Sequence, residues 1–428
     1  MNRSGLERFL LAQTENWAVL LLLTAALAGA VLFGGVVKYA AEGGERLGAI
    51  GRAAEEIATL PYSTFRVVQP LLRDRFAAPE RRFEGEAGLV LAEERAWQDA
   101  GYLLASRYDG DREASIVELV DLRSGVALHE WLPESNYASI VLPDGSLLSM
   151  VEEGALVMLD GCSNVQWVLD DVGFHHSVER DADGRFWVPY RVNPPLIPGA
   201  APGIREDGLA RISRSGTILS LTPISPALIA SGNGHMLYGR NDPMHMNDIE
   251  PVLEDGHWWR RGDLLVSLRS GSVILLYRPR NDEVIWARAG PWLHQHDVNV
   301  VSDREISVFS NNSVRTRNVD EGTVLGANEV LVHDLESGRT RSPWHDALLR
   351  HEVRTATEGR STVLENGDVF VEETNHGRAL RVAADGTLRW AYVNRAADGQ
   401  VYQLSWSRYL DEDEGGAVAK AVMALDCR

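Results

Sequence analysis

The sequence contains very little lysine and an excess of acidic residues. Lysine occurs only at positions 38 and 420, so arginine supplies almost all of the 42 basic residues, which face 61 acidic ones. The formal net charge of −19 argues against nucleic acid or an anionic lipid surface as the main partner, because both require a basic protein face. Abundant arginine still suits recognition of small anions, whose oxygens match the forked guanidinium group.

Cysteine is scarce as well, and its pattern excludes several kinds of site. The chain has two cysteines, Cys162 and Cys427, and it has no CxxC pair, zinc-like spacing or haem-attachment motif. Two states are open for them. They form a disulfide bond, which an oxidising compartment such as the periplasm allows, or they remain two unpaired thiols.

One run near the N-terminus is both long and strongly apolar. Asn16–Val37 has no charged residue and, at about 1.5 Å per residue, crosses a hydrocarbon core of roughly 30 Å. A signal-peptide core is usually only about 7–15 residues. The run therefore predicts a retained transmembrane anchor over 16–38 after a short tail, 1–15, with cleavage near Ala28 or Ala40 as the alternative. We expect a single-pass inner-membrane protein whose large domain lies in the periplasm.

The next segment, 39–95, is predicted to be a helical stalk or linker. Its apolar residues recur at helical spacing until Pro61 stops the pattern. They are Leu47, Ile50, Ala54 and Ile57.

From about Ala96 onward, short apolar runs alternate with Asp-Gly, Asn-Gly or Ser-Gly turns, which is the pattern of β-hairpins. Examples are LPDGSLLSM, DADGRFWVPY and LENGDVFVEE. About six such units of roughly 40–60 residues follow one another, as is typical of propeller blades with about four strands each. The sequence predicts an all-β, six-bladed propeller over 96–410, then a C-terminal closing segment, 411–428. The acidic run Asp411–Glu414 is predicted to be a solvated turn.

Histidines stand at nearly the same place in three of these units. The pair His175-His176 precedes DADG, His245 precedes LEDG, and His296 precedes SDR. Because the first strand of each propeller blade lines the central channel, residues at these positions are expected to converge on one axis.

A cluster of neutral histidines beside an arginine suits group transfer. A histidine nitrogen can attack an electrophile and carry the group briefly, provided that neighbours fix its tautomer. Arg269 suits the oxygens of a sulfuryl or phosphoryl group, and a second histidine can exchange a proton with a phenol oxygen. Asn247 is placed to orient a histidine or to bind a group oxygen. His294 and Asp297 are interpreted as structural.

Four motifs in this region resemble one known family. HMND, SLRSGS, QHDVNV and FSNN are similar, in order and placement, to motifs of the arylsulfotransferase family, the PAPS-independent bacterial aryl sulfate sulfotransferases. The likeness covers roughly Phe174–Asn394. Ser270 and Gly271 follow the arginine where the family often has a histidine, and FSNN stands where the family has Phe-Asp-Asn-Gly.

The resemblance implies a six-bladed propeller that moves a sulfuryl group from an aryl sulfate to a phenol, without a cofactor or a bound metal. It implies that His296 is the transiently sulfated nucleophile. His245, Asn247 and Arg269 would hold the sulfuryl oxygens and assist the leaving group, and His176, rather than His175, would supply one more histidine in the channel.

Three other interpretations remain at this stage. Converging histidines could bind iron, copper or zinc, although the cation of Arg269 would repel a metal. A non-catalytic, membrane-anchored propeller that acts as a scaffold or sensor would not need His296. A quinone-dependent dehydrogenase is suggested by tryptophans near the ends of several units: Trp131, Trp167, Trp286 and Trp390.

Overall fold

The computed structural model describes residues 16–41, 46–51, 53–54, 57–58, 77–78, 82, 86–91 and 101–427, except 152–153, 201–202 and 315–321. The chain divides into two compact units, 1–75 and 76–428. Strands are numbered β1 to β29 and helices α1 to α4 along the chain. The predicted tail, 1–15, lies outside the described residues, as does most of the predicted stalk.

The first unit contains one long apolar helix, α1 (Asn16–Ala41). Its segment Leu21–Tyr39 has a mean hydropathy of 2.0, and none of it is buried. This helix is long and apolar enough to cross a membrane, and a signal sequence would have the same properties. In the predicted stalk, residues 48–51, 53–54 and 57–58 are helical.

The second unit is a six-bladed β-propeller, as the repeats predicted. Strands are given from the channel outward. Blade 1 consists of β29 (Arg408–Leu410), β3 (Tyr102–Asp109), β4 (Ala114–Asp121) and β5 (Val126–Trp131). Blade 2 consists of β6 (Ala138–Val141), β7 (Leu147–Met150), β8 (Leu156–Leu159) and β9 (Val165–Leu169). Blade 3 consists of β10 (Glu179–Arg180), β11 (Phe186–Val192), β12 (Glu206–Ile212) and β13 (Ile218–Pro223).

The remaining three blades follow the same order. Blade 4 consists of β14 (Met246–Pro251), β15 (Leu264–Leu268), β16 (Val273–Arg278) and β17 (Glu283–Ala289). Blade 5 consists of β18 (Asp297–Val300), β19 (Glu305–Ser310), β22 (Glu329–Asp334) and β23 (Thr340–Arg341). Blade 6 consists of β24 (Arg360–Val363), β25 (Val369–Glu373), β26 (Arg378–Val382), β27 (Leu388–Val393) and an outer fifth strand, β2 (Gly88–Leu91).

Smaller elements complete the unit. The outer strand β2 lies within 39–95, the range predicted to be a stalk, and it pairs with β27 in antiparallel fashion. Two short antiparallel pairs are β1 (Ala77–Ala78) with β28 (Val401–Tyr402), and β20 (Ser313–Val314) with β21 (Thr323–Val324). Two short helices, α2 (Ser225–Ala230) and α3 (His345–Arg350), pack against blade interfaces.

The period-2 geometry of strands explains why the sequences of the middle strands are continuous apolar runs. Successive residues of a middle strand face different neighbouring blades, and both faces are buried. In β3, Leu103 packs with Phe370 of blade 6, whereas the next residue, Leu104, packs with Leu147 of blade 2. Apolar packing between successive blades therefore forms the core.

The C-terminal strand closes the ring, because β29 forms the innermost strand of blade 1 beside β3. The run Asp411–Glu414 is not the solvated turn predicted from its charge. It begins helix α4 (Glu412–Met423), where the side chain of Asp411 accepts a hydrogen bond from the backbone N–H of Glu414. Acidic residues stabilise a helix at its N-terminus, which is the physical reason for the correction.

The two cysteines form a disulfide bond, which settles the alternative that the sequence left open. Cys162 lies in the turn between β8 and β9, and Cys427 follows α4. Val418, Ala419 and Val422 of α4 pack into the apolar cluster shared by blades 1 and 2. The bond and the helix together fasten the end of the chain to blade 2.

Candidate active site

Five side chains come together at one mouth of the channel, each just ahead of the innermost strand of blades 2 to 6. We call them the mouth cluster: Tyr137, His176, His245, His296 and Glu358. The ring of His176 lies at its centre, with centroids 5.8 Å from Tyr137, 4.9 Å from His245 and 6.4 Å from His296. The convergence expected for the histidines is therefore present.

The backbone of the mouth cluster is strained. His176, His245 and Glu358 have φ values of +67°, +47° and +57°, in the left-handed region that non-glycine residues rarely occupy. Such conformations cost of order 1–3 kcal/mol each and occur preferentially at functional sites. In this protein they turn the chain sharply at the starts of three innermost strands.

The hydrogen bonds of His296 identify its tautomer. Asn311 Nδ2 donates to the backbone carbonyls of Thr355 and Glu358, at 3.1 and 2.7 Å. Its oxygen therefore faces His296, where Oδ1 lies 2.6 Å from Nδ1. Because an amide oxygen only accepts, the proton is on Nδ1. The lone pair of Nε2 accepts a hydrogen bond of 3.1 Å from the backbone N–H of Glu358.

Burial keeps His296 neutral. Only 2% of the residue is exposed, and burial, followed by the positive charge of Arg269, lowers the pKa of His296 well below its ordinary value. At neutral pH the ring therefore carries one proton and an unprotonated Nε2, as a nucleophile requires.

The QHD and MND segments tie blades together around this ring. Gln295 Nε2 donates to Ser267 Oγ and to the carbonyl of Val273 in blade 4, both at 3.1 Å. Asp297 Oδ2 accepts from the backbone N–H of Ser361 in blade 6, at 3.0 Å. Asp248 Oδ2 similarly accepts from Val298 of blade 5, at 3.0 Å. The motif residues on each side of His296 are therefore structural links.

Asn247 is aimed by a β-bulge. The register between β14 and β15 shifts from Met246↔Leu268 to Asp248↔Ser267, so Asn247 is the extra residue. Its side chain donates to the backbone carbonyl of Gln295 at 2.7 Å, while Oδ1 is buried and has no hydrogen-bond partner in the part of the chain that the structure describes. Asn247 thus supports the backbone immediately before His296.

Arg269 brings a buried positive charge to the mouth. It begins a 3₁₀ turn after β15, and its backbone N–H donates to the carbonyl of His245 at 3.1 Å. Only 7% of the residue is exposed. Its charge acts on His296, Tyr137 and Glu358. An anionic group in the mouth would therefore meet this cation.

A polar chain supports the other two histidines. His175 Nδ1 and His176 Nδ1 are 2.9 Å apart, and His175 Nε2 lies 3.2 Å from Asp207 Oδ1. Asp207 also accepts a hydrogen bond of 2.7 Å from the backbone N–H of Met246. His245 Nδ1 lies 2.8 Å from Asp242 Oδ2. Each histidine of the cluster thus has an orienting partner.

His176 is kept neutral by its position. Burial is the main cause, and the neighbouring rings of His175, His245 and His296 add to it, so that the pKa of His176 lies well below its ordinary value. A neutral imidazole has no surplus proton to give at neutral pH. His176 is therefore poorly suited to protonate a leaving group.

Glu358 is the acidic member of the mouth cluster. Tyr137 Oη donates to Glu358 Oε1 at 3.2 Å. Burial raises the pKa of Glu358 to about 7, and the charge of Glu372 acts in the same direction, whereas the hydrogen bond from Tyr137 and the charge of Arg269 lower it. Near neutral pH this carboxyl group can therefore both give and take a proton.

Below the mouth, the channel contains a buried ionic layer. Arg408 donates to both oxygens of Glu179, each at 2.8 Å, and Arg360 lies 3.7 Å from Glu179 and from Asp297. Burial and the charges of Asp297 and Glu179 raise the pKa of Asp248 well above its ordinary value. Among the described residues, no group of three or more histidines, cysteines or acidic residues is arranged to hold a metal ion.

The structure brings the predicted site residues into one region of the channel. His176, His245 and His296 lie in the mouth cluster, Arg269 acts on it electrostatically, and Asn247 supports it from one side. Three further residues of this region were not predicted from the sequence: Tyr137, Asn311 and Glu358. Tyr137 and Glu358 precede innermost strands just as the histidines do, so extending that register to every blade would have found them.

Solved structures with similar folds are distant from this chain. A protein of unknown function from Bacteroides caccae is 12% identical, with a TM-score of 0.47 over 72% of this chain and 98% of its own. Virginiamycin B lyase from Staphylococcus aureus is 13% identical, with a TM-score of 0.33 over 60% of this chain and 69% of its own. At these scores the likenesses carry no weight for function. No curated protein matches the chain.

A family model matches the segment that contains most of the site. It is described as arylsulfotransferase (ASST), and it covers residues 231–395. The segment includes His245, Asn247, Arg269, His296, Asn311 and Glu358, while Tyr137 and His176 precede it. The resemblance to the arylsulfotransferase family that the motifs indicated is thus confirmed, over residues 231–395 of this chain.

Proposed function

We propose that this protein transfers a sulfuryl group from an aryl sulfate to a phenol through a covalent adduct on Nε2 of His296. The observation that carries the proposal is the fixed tautomer of His296. Asn311 Oδ1 accepts a hydrogen bond from Nδ1–H, which leaves Nε2 unprotonated, and the charge of the buried Arg269 acts on the same ring. The family match over 231–395 supports the same class of reaction.

The reaction begins when Nε2 attacks the sulfur atom of the donor. In the free protein, the backbone N–H of Glu358 donates to this lone pair, so it has to withdraw when the donor binds. The Nδ1–H bond to Asn311 then stabilises the positive charge that develops on the sulfated ring. A phenol oxygen attacks the same sulfur in the second half of the reaction and releases His296.

The other residues bind and orient the group. Arg269 is the cation that attracts the sulfuryl oxygens, since its charge already acts on His296. His245 lines the mouth next to His176 and is oriented by Asp242. Asn247 holds the backbone carbonyl of Gln295, so its role is to position His296.

The proposal includes a location. Helix α1 anchors the chain in the inner membrane, and the propeller lies in the periplasm. The apolar segment Leu21–Tyr39 supports an anchor, and the Cys162–Cys427 bond supports an oxidising compartment. Fusing the chain to a reporter that is active only in the periplasm tests the orientation. Activity of a second fusion, whose reporter works only in the cytoplasm, would contradict it.

The transfer itself is tested with 4-nitrophenyl sulfate as donor and several phenols as acceptors. The wild type is expected to release nitrophenol when an acceptor is present, and His296→Ala is expected to release none. His345→Ala is the matched control, because this exposed histidine pairs with Glu329 of blade 5, away from the mouth cluster. A folded wild type that is inactive with every phenol would favour the non-catalytic, membrane-anchored scaffold.

A further inference from the structure

We propose that the carboxyl group of Glu358, with Tyr137 hydrogen-bonded to it, carries the proton in this transfer. It protonates the aryl oxygen that leaves the donor and later deprotonates the phenol that accepts the group. This inference rests on the proposed function and gives the proton step to a carboxyl group, where the motifs suggested a histidine.

Geometry ties Glu358 to the reacting atom. Its backbone N–H lies 3.1 Å from Nε2 of His296, the atom proposed to attack sulfur. Its side chain is held at 3.2 Å by Tyr137 Oη, from a different blade. The left-handed φ of +57° at Glu358 is a strained conformation for a glutamate, and functional sites are where such strain is retained.

Two of the three histidines of the cluster, His176 and His296, are less suitable proton donors. His176 and His296 have pKa values well below the ordinary range, chiefly through burial, so both are neutral at neutral pH. The pKa of Glu358, about 7, gives comparable amounts of acid and base at neutral pH, which is the best condition for general catalysis there.

The charged and titratable groups around Glu358 come from four blades. Tyr137 belongs to blade 2, Arg269 to blade 4, His296 to blade 5 and Glu372 to blade 6. Arg269 and the hydroxyl of Tyr137 favour the carboxylate, while Glu372 and burial favour the neutral acid. An incoming anionic sulfate would add a further charge that favours the acid.

Atoms and protons balance over the two half-reactions. In the first, the Nε2–S bond forms, the S–O(aryl) bond breaks, and the departing oxygen takes its electron pair and the proton of Glu358. In the second, the phenol gives its proton to the Glu358 carboxylate while its oxygen bonds to sulfur. The Nε2–S bond breaks, its electron pair returns to Nε2 of His296, and Glu358 is again protonated.

Comparing two donors separates proton donation from other roles. Nitrophenolate is a weakly basic leaving group that needs little protonation, whereas unsubstituted phenolate needs much more. With the full chain in detergent and no acceptor, the single-turnover release of the aryl product is measured for 4-nitrophenyl sulfate and for phenyl sulfate. Glu358→Gln should lose less than about tenfold with the first donor and about 10²–10⁴-fold with the second.

Two further variants complete the design. Glu336→Gln makes the same change at an exposed residue that pairs with Arg304, and it should alter neither rate. Tyr137→Phe keeps the carboxyl group but removes the hydrogen bond that lowers its pKa. In the wild type, release from phenyl sulfate should fall as the pH rises through about 7. In Tyr137→Phe that midpoint should move upward by about one pH unit.

The outcomes distinguish this inference from the proposed function. If the wild type transfers no sulfuryl group, the proposed function fails, and this inference fails with it. If the wild type is active and Glu358→Gln loses equal rate with both donors, or loses none, the proton-carrier role alone is overturned. An unchanged midpoint in an active Tyr137→Phe variant would overturn it independently of whether Glu358→Gln folds.

Discussion

At the scale of single residues, the environment of His296 explains both its reactivity and its dependence on neighbours. The ring accepts a hydrogen bond at Nε2 from Glu358 and donates one at Nδ1 to Asn311. The side chain of Asn311 is fixed in turn by its bonds to two backbone carbonyls. Its own backbone carbonyl accepts a hydrogen bond from Asn328 Nδ2. The FSNN motif is thus the device that sets the tautomer.

Replacing Asn311 should therefore slow the chemistry, in addition to any loss of stability from its two bonds to backbone carbonyls. In Asn311→Ala the Nδ1 proton loses its acceptor, and the sulfated, positively charged ring loses a charge-assisted hydrogen bond. Such bonds contribute about 1.5–3 kcal/mol, equivalent to roughly 10–100-fold in rate. Single-turnover sulfation of His296 measures this loss. Asn312→Ala is the neighbouring control, because it removes the side-chain bonds to the carbonyl of Ala327 and from Ser310 Oγ but none to His296. Equal losses would contradict the orienting role.

The raised pKa of Glu358 also affects stability, and the sign follows from linkage. The folded-state pKa of about 7 exceeds the ordinary value of a glutamate, about 4.3, so the folded state holds its proton over a pH range in which the unfolded state has lost it. Stability therefore falls as pH rises through this window. Glu358→Gln should raise the free energy of unfolding at pH 8 by about 3 kcal/mol and change it little at pH 4.

Urea unfolding of both proteins in the same detergent, at the two pH values, measures the difference. If Glu358→Gln is less stable than the wild type at pH 8, burial does not disfavour the ionised carboxylate at this position, and the account of its raised pKa is contradicted.

Sequence reasoning located the histidines and Arg269 because their motifs and register were visible. It missed Tyr137 and Glu358 because their residue types differ from histidine although their positions do not. It also missed Asn311, since the role of that residue depends on the carbonyls of Thr355 and Glu358, which lie in the next blade. Contacts of this kind appear only once the blades are assembled.

At the scale of elements, the innermost strands are joined by a repeated device. An acidic side chain of one strand accepts the backbone N–H of the next: Asp248 binds Val298, and Asp297 binds Ser361. Blade 1 is joined differently, by Arg408 of β29 to Glu179 of blade 3 and to the carbonyl of Ser139 in blade 2. The closing strand therefore depends on a buried ion pair.

Arg408→Ala should consequently destabilise the propeller by about 3–5 kcal/mol, because it leaves the buried Glu179 without its main cation. Although burial raises it, the charges of Arg408 and Arg360 hold the pKa of Glu179 below its ordinary value. Arg123→Ala is the control, since Arg123 and Glu412 are both half-exposed, and such a pair contributes at most about 1 kcal/mol. If thermal unfolding shows that both variants lose similar stability, the expected difference between the buried and the exposed ion pair is contradicted.

Strand and turn patterns were sufficient to predict the blades, because period-2 burial and Asp-Gly turns are local. The fifth strand of blade 6, Gly88–Leu91, was not predicted, since its pairing with β27 joins segments far apart in sequence. The acidic start of α4 was misread because charge alone does not separate a turn from a helix N-terminus.

At the scale of the whole molecule, closure depends on the ends of the propeller segment. The disulfide joins residues 265 positions apart and fastens α4 to blade 2. Neither cysteine belongs to the mouth cluster, so the bond is expected to affect stability and not chemistry.

Cys162→Ser should therefore lower the free energy of unfolding by about 2–4 kcal/mol while leaving the rate of nitrophenol release within about twofold. Thermal unfolding and the transfer assay, each with and without reductant, test both parts. A large loss of activity at a temperature where the variant is folded would contradict the expectation that the disulfide bond affects stability and not chemistry.

The central claim is that His296 carries the sulfuryl group. It is tested most directly by mixing the full chain with 4-nitrophenyl sulfate without an acceptor, quenching rapidly, and locating the added SO₃ by peptide mass analysis. We predict a labile adduct on His296 that disappears when a phenol is added and that never forms in His296→Ala. Transfer to phenol without any such adduct, or with an adduct on another residue, would contradict the account.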